Sequence, residues 1–140
     1  MSQPSDTVTT YYEAVHEHDW KKLRSTLAES VVRSGIMSDH ADDTITGRDA
    51  YVRFVETVIG SFEQHAMRIE RVFYSADRRF ACAETRETVR EPGGDLIELH
   101  CLKWHELDEN GRILRIEQFR KGAPGGTPLT LSVGSVLRRD

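Results

Sequence analysis

Residues 65 to 121 read as four long consecutive strands joined by three tight turns, and this stretch limits the chain to few architectures. The first run, His65 to Ser75, closes at Ala76-Asp77-Arg78. The second, Arg79 to Arg90, ends at Glu91-Pro92-Gly93-Gly94-Asp95, where proline fixes φ and the glycines can take the positive φ that a reversal needs. The third, Leu96 to Leu107, ends at Asp108-Glu109-Asn110-Gly111, which suits a type I turn followed by a left-handed glycine bulge, and Arg112 to Lys121 returns along it. Strands of about 10–12 residues are roughly twice the usual length, and they reach about 35–40 Å. Right-handed twist accumulates over that distance, so the sheet curls into a half-open cone whose concave face must be filled by helices or by a ligand.

The first half of the chain supplies the cover. Ser5 or Asp6 can cap a helix carrying Val8, Tyr11, Tyr12 and Val15 at helical spacing and ending near His18-Asp19. Trp20, Leu23 and Leu27 mark a short second helix, and Val31 to Ser34 a short strand. Gly35 to Thr46 is a polar loop holding Asp39, His40, Asp42 and Asp43, longer than a connector requires. After Thr46-Gly47-Arg48-Asp49, a third helix presents Ala50, Val52, Phe54, Val55, Val58 and Ile59. Gly122 to Pro128 reads as a linker, and Leu129, Leu131 and Val133 alternate in the tail beyond it.

One hundred and forty residues make one domain, 1–140, with 122–140 as its linker and tail. A formal charge of −4 with scattered Lys and Arg gives no basic stripe, which argues against nucleic acid as a partner. Neither a long apolar run nor a signal-peptide pattern is visible, so the expectation is a soluble cytoplasmic protein without membrane contact. Cys82 and Cys101 lie mid-strand without metal-ligand spacing and read as buried reduced thiols, with neither a disulfide nor zinc expected.

The order of helices, short strand, helix and long antiparallel strands is that of an α+β fold with its helices on one face. With Tyr11-Tyr-Glu-Ala-Val-His-Glu-His-Asp19, Leu27-Ala-Glu-Ser-Val31, Thr46-Gly-Arg-Asp-Ala50 and Asn110-Gly-Arg-Ile-Leu-Arg-Ile-Glu-Gln-Phe119, the chain resembles the nuclear transport factor 2-like superfamily over roughly residues 7 to 121, and its SnoaL-like branch most. The resemblance implies a cone-shaped α+β barrel, with three N-terminal helices packed on a long, strongly curved antiparallel sheet. It also implies a choice among polyketide cyclases, ketosteroid isomerases, epoxide hydrolases, dehydratases and non-catalytic binding domains. The limonene-epoxide hydrolase pattern, Arg-x-Asp on the second long strand and Asp on the last, meets Arg86-Glu87-Thr88 and Gln118 here, and only the Arg is kept. The polyketide-cyclase His and Asp fall at Trp104 and Gln118, and the ketosteroid-isomerase tyrosine matches Tyr11 while its base falls near Gly35.

Strand alternation selects a different polar set. A glycine bulge at Gly111 pairs Leu102 with Gln118 and Trp104 with Ile116, so the even positions share one face. Leu102, Trp104, Leu114 and Ile116 form an apolar patch there, and this face is expected to line the cavity. Glu84, Arg86 and His100 are then the candidate catalytic residues, with Tyr11, Arg33, Glu98, Gln118, Arg120 and the apolar four as substrate contacts and Asp39 or His40 as possible additions from the loop. A carboxylate and an imidazole in a mostly apolar pocket suffice for proton transfer near neutral pH. The competing reading makes Glu84, Arg86 and Glu98 cross-strand ion pairs and His100 a satisfied half-buried histidine. His16, His18, His65 and His105 read as surface or interface residues. The opposite face, with Ala81, Ala83, Thr85, Val89, Leu99, Cys101, Ile113 and Phe119, would then be an uncovered apolar surface, which implies a homodimer.

Two functions fit. One is a cofactor-independent acid/base enzyme, a cyclase, isomerase or dehydratase, acting on a small apolar, polyketide- or terpenoid-like molecule of secondary metabolism that can carry negative charge. The other is a non-catalytic ligand-binding or dimerisation domain of the same fold.

Overall fold

The computed structural model describes residues 6–34 and 44–120. The Gly35–Thr46 loop apart from its last three residues, with Asp39 and His40, and the tail beyond Arg120 lie outside them. Helix α1 spans Thr7–Glu17, and Asp6 caps it by accepting hydrogen bonds from the backbone N–H groups of Val8 and Thr9. His18 ends it in the left-handed conformation at φ 58°, its N–H turned back to the carbonyls of Ala14 and Val15. Asp19 then caps α2, Trp20–Ser25.

Leu27 does not continue that helix as the sequence suggests. It opens β1, Leu27–Ser34, because the carbonyl of Thr26 is taken by the N–H of Ile113 in a neighbouring strand. A two-residue strand β2, Ile45–Thr46, pairs antiparallel with β1, and α3, Arg48–Gly60, follows. The long strands are β3, Gln64–Tyr74, β4, Phe80–Arg90, β5, Leu96–Leu107, and β6, Ile113–Arg120, each within two residues of the boundaries read from the turns. Gly93 and Gly111 take the positive φ those turns require, at 75° and 78°.

The six strands form one sheet in the order β2-β1-β6-β5-β4-β3. β1 runs parallel to β6, so the sheet is mixed rather than wholly antiparallel, and it curves without closing. The parallel pair arises because the chain leaves β1, crosses through β2, α3 and the three strands that follow, and returns in the same direction.

Register settles which face is inside. β4 and β5 pair as alternation suggests, Cys82 opposite Trp104 and Arg86 opposite His100. The β5–β6 hairpin differs: Leu107 faces Ile113 but Glu106 faces Arg115, so Leu114 is an extra residue on β6 and every later pair slips by one. Lys103 therefore stands opposite Gln118, and Trp104 opposite Glu117. On β4 and β5 the odd residues are the buried ones: Ala81, Ala83, Thr85 and Val89, then Leu99, Cys101, Lys103, His105 and Leu107. On β6, Ile113 and Ile116 point inward on either side of the bulge.

The helices pack on this odd face. Val8, Tyr11, Tyr12 and Val15 from α1 and Tyr51, Phe54, Val55, Val58 and Ile59 from α3 join Leu27, Val31, Ala81, Ala83, Ile113 and Ile116 in the main core cluster. Burying each of the larger side chains contributes about 1.5–3 kcal/mol. Ala81 and Ala83, small and fully buried, belong to the same cluster. The residues assigned from sequence to an uncovered outer face are thus the floor of the core, with the single exception of Phe119, which is exposed.

Candidate functional site

Between α1, α3 and the concave side of the sheet lies a pocket with about 670 Å³ of empty space, its open mouth included. Its apolar wall comes from Val15, Phe54, Val55, Val58, Ile59, Phe62, Met67, Val89 and Leu99. Its polar groups are few and come from different elements: Tyr11 on α1, Arg33 on β1, Tyr51 on α3, Glu87 on β4, Lys103 on β5, and Gln118 and Arg120 on β6. A mostly apolar cleft with a small convergent polar set is the usual form of a small-molecule site.

Arg33 is almost wholly buried, at 5 % exposure. Its Nη2 donates to Oε1 of Gln118 at 2.5 Å, while Nε and Nη1 have no partner among the described residues. The guanidinium carbon sits 6.0 Å from the centre of the Tyr51 ring. The hydroxyls of Tyr11 and Tyr51 share a short hydrogen bond. Burial, reinforced by Tyr51, pushes the Tyr11 phenol well above its ordinary pKa despite the opposing charge of Arg33, so it stays protonated and able to donate.

Lys103 is buried at 4 % exposure with its ammonium 5.2 Å from the Tyr12 ring centre. Burial lowers its pKa, and the Glu87 charge offsets only part of that effect. Burial acts on Glu87 in the direction of a raised pKa, but the hydrogen bond from His65 and the charges of Lys103 and Arg33 outweigh it and hold the carboxyl below the usual range. Oε2 of Glu87 is 2.6 Å from Nε2 of His65. Next to the pocket wall, His105 Nε2 and the Tyr12 hydroxyl are 2.6 Å apart. Burial, then Arg33 and Lys103, lower the His105 pKa to about 3, so that imidazole is neutral.

Tyr11, Arg33, Gln118 and Arg120, expected from sequence as substrate contacts, all line this pocket. Ile116 is fully buried in the core cluster. The other candidates lie elsewhere, because the slip at Leu114 reverses the inside and outside of β4 and β5 relative to the expectation. Glu84, Arg86, Glu98, His100, Leu102 and Trp104 are on the convex face. There His100 pairs with Glu84 at 2.6 Å, Arg71 with the same Glu84 at 2.7 Å, and Arg86 with Glu98 at 2.7 Å. Leu102 and Trp104 are about half exposed, at 48 % and 49 %. Leu114, the bulge residue, lies beside Ala28 and Glu29, away from the pocket.

Sequence reasoning passed over Tyr51, Glu87, Lys103, His65 and His105. His65 and His105, assigned to the surface, have side chains buried to 1 % exposure. The available signal was the run of small odd residues Ala81, Ala83 and Thr85, which marks a face pressed by helices, on the same parity as Glu87, Lys103 and His105. Among the described residues no three His, Cys, Asp or Glu side chains converge as a metal site.

No curated protein matches the chain. Among solved structures it is similar to a proposed ketosteroid isomerase from Kribbella flavida, at 22 % identity and TM-score 0.66, with 88 % of this chain and 81 % of that one covered. It is also similar to a proposed SnoaL-like polyketide cyclase from Shewanella denitrificans, at 17 % identity and TM-score 0.68, covering 85 % and 92 %. A third is a Mycobacterium tuberculosis protein solved with estradiol-17β-hemisuccinate, at 17 % identity and TM-score 0.71, covering 81 % and 89 %. These likenesses concern the fold. The SnoaL-like domain model matches residues 8–116, from the first core residue of α1 to the Ile116 that anchors β6, and the chain belongs to that family.

Proposed function

We propose that the protein is an enzyme working without a bound cofactor, which moves a proton on a small, largely apolar molecule in the concave pocket during an isomerisation, cyclisation or dehydration. The observation that carries this reading is Arg33, a buried guanidinium lining an apolar pocket with Nε and Nη1 unpartnered among the described residues. Leaving buried donors unmade costs about 1–3 kcal/mol or more. An oxygen that bears or develops negative charge, as in an enolate, phenolate or carboxylate, would recover that cost. Lys103 adds a second buried cation, and the Tyr11–Tyr51 pair adds hydroxyls that can donate to the same oxygen. Glu87 is the proton acceptor. The ligand of the M. tuberculosis relative, a steroid ester with a free carboxylate, belongs to the same chemical class.

The test is solvent exchange. A panel of cyclic ketones is incubated with the protein in deuterium oxide, and loss of the α-hydrogens is followed by proton NMR. Exchange above the buffer rate that disappears in Glu87→Gln supports the enzyme. Its absence across the panel, with estradiol-17β-hemisuccinate still bound, would leave a non-catalytic binding domain. That second reading draws on one observation: a carboxyl held below its usual range is a weak base.

We also propose a homodimer, through the convex face, which of the residues first assigned to the interface holds only Phe119. Phe73, Phe80, Leu102, Trp104 and Phe119 are 45–61 % exposed there. Large apolar side chains gathered on one sheet face mark an interaction surface. The same face carries Arg71, Glu84, Arg86 and Glu98, both signs together, which suits self-association about a two-fold axis.

A further inference from the structure

Glu87 continues away from the pocket into a line of two imidazoles. His65, whose side chain is buried to 1 % exposure, bonds Glu87 Oε2 through Nε2 at 2.6 Å. Its other nitrogen, Nδ1, lies 3.1 Å from Nε2 of His18. His18 is exposed at the left-handed end of α1. Both rings are held by stacking: His65 lies nearly parallel to Phe62 of the pocket wall, at 10° and 6.3 Å between centres, and His18 to Trp20, at 11° and 5.9 Å. An imidazole takes a proton at one nitrogen and gives one from the other, so two rings in series conduct where a single hydrogen bond does not.

We infer that Glu87, His65 and His18 form a proton relay joining the pocket to solvent. With Glu87 ionised, His65 carries its proton on Nε2, and its bare Nδ1 accepts from the Nε2–H of His18. A water proton adds to His18 Nδ1. The Nε2 proton of His18 passes to His65 Nδ1, and the Nε2 proton of His65 passes to Glu87 Oε2. Both rings end neutral with their protons on Nδ1, and the carboxylate has become a carboxylic acid. The reverse sequence carries out a proton taken from a ligand. Lys103 and Arg33 face the inner end of the line and His16 the outer end. The use of the relay rests on the acid/base reading above, since a reaction that does not return its proton to the substrate must reset Glu87, and the relay would do so while a ligand fills the pocket. Its proton traffic is measurable with no substrate present.

In the full chain labelled with 15N-histidine, exchange of the His65 Nε2 proton with water is measured by NMR in the wild type, His18→Asn and His18→Gln. Asparagine suits the left-handed backbone at φ 58°, and glutamine keeps a donor toward His65, but neither passes a proton along. Both variants should slow the exchange by about tenfold or more, because only local opening of the structure then exposes the buried ring. A wild-type rate in His18→Gln with an unchanged melting temperature overturns the relay, whatever the ketone assay gives. Slowed exchange together with a negative ketone assay keeps the relay and removes the enzyme.

Discussion

The Tyr12 hydroxyl and Nε2 of His105 are 2.6 Å apart, with both side chains sealed between α1 and β5. The pair ties helix to sheet, and burial beside Arg33 and Lys103 disfavours the charged imidazole and lowers its pKa to about 3. The unfolded chain takes up this proton near pH 6.5, so between that pH and about 3 it binds more protons than the native state, and stability falls as pH falls. The slope approaches about 1.4 kcal/mol per pH unit. Urea unfolding should show a loss of about 2 kcal/mol between pH 6.5 and 5 that is absent in His105→Leu. An equal loss in both proteins would assign the acid sensitivity elsewhere.

Lys103 and Arg33 make anion binding dependent on alkaline pH. Because burial already lowers the Lys103 pKa, its ammonium is lost below the usual lysine range, while Arg33 stays charged. Calorimetric affinity for estradiol-17β-hemisuccinate should decline at high pH in the wild type and vary little in Lys103→Met. Removing one buried charge-assisted contact should cost about 1.5–3 kcal/mol at neutral pH. Equal affinity for estradiol and its hemisuccinate would dismiss the anion reading.

The pocket and the convex face separate the two acid/imidazole pairs. Glu84→Gln and His100→Ala alter a contact on the convex face, so each should change α-hydrogen exchange by less than twofold, whereas Glu87→Gln should lower it by roughly 10² or more. Lost exchange in His100→Ala with the fold intact would return the chemistry to the convex face.

Trp104→Glu and Phe119→Glu place charge in the proposed dimer interface without touching the core. Light scattering at micromolar concentration should give twice the chain mass for the wild type and the chain mass for either variant, with far-ultraviolet circular dichroism unchanged. A monomeric wild type would refute the dimer.

Leucine at 107 and isoleucine at 113 bracket the turn where the sequence stopped being sufficient. The amphipathic helices, the four long strands and their turns were legible because each is a local property: Asp6 and Asp19 cap, Gly93 and Gly111 accept positive φ, and apolar residues recur at helical or strand spacing. Tyr11 and Arg33 were found because their faces did not depend on the β5–β6 register, and Gln118 and Arg120 line the pocket although the register that placed them there is slipped by one. Glu84, Arg86 and His100 were misplaced because side-chain direction in a strand has period two, and one inserted residue, Leu114, exchanges the faces of everything paired across it. No local propensity reports that insertion. Only the packing of α1 and α3 over the small residues Ala81 and Ala83 decided it, and with it the burial of Glu87, Lys103, His65 and His105. The sequence by itself determined the elements and the cone; the tertiary structure determined which side of the cone carries the chemistry, because burying the odd face leaves the charged side chains of Glu84, Arg86 and Glu98 in water, where they need no costly desolvation.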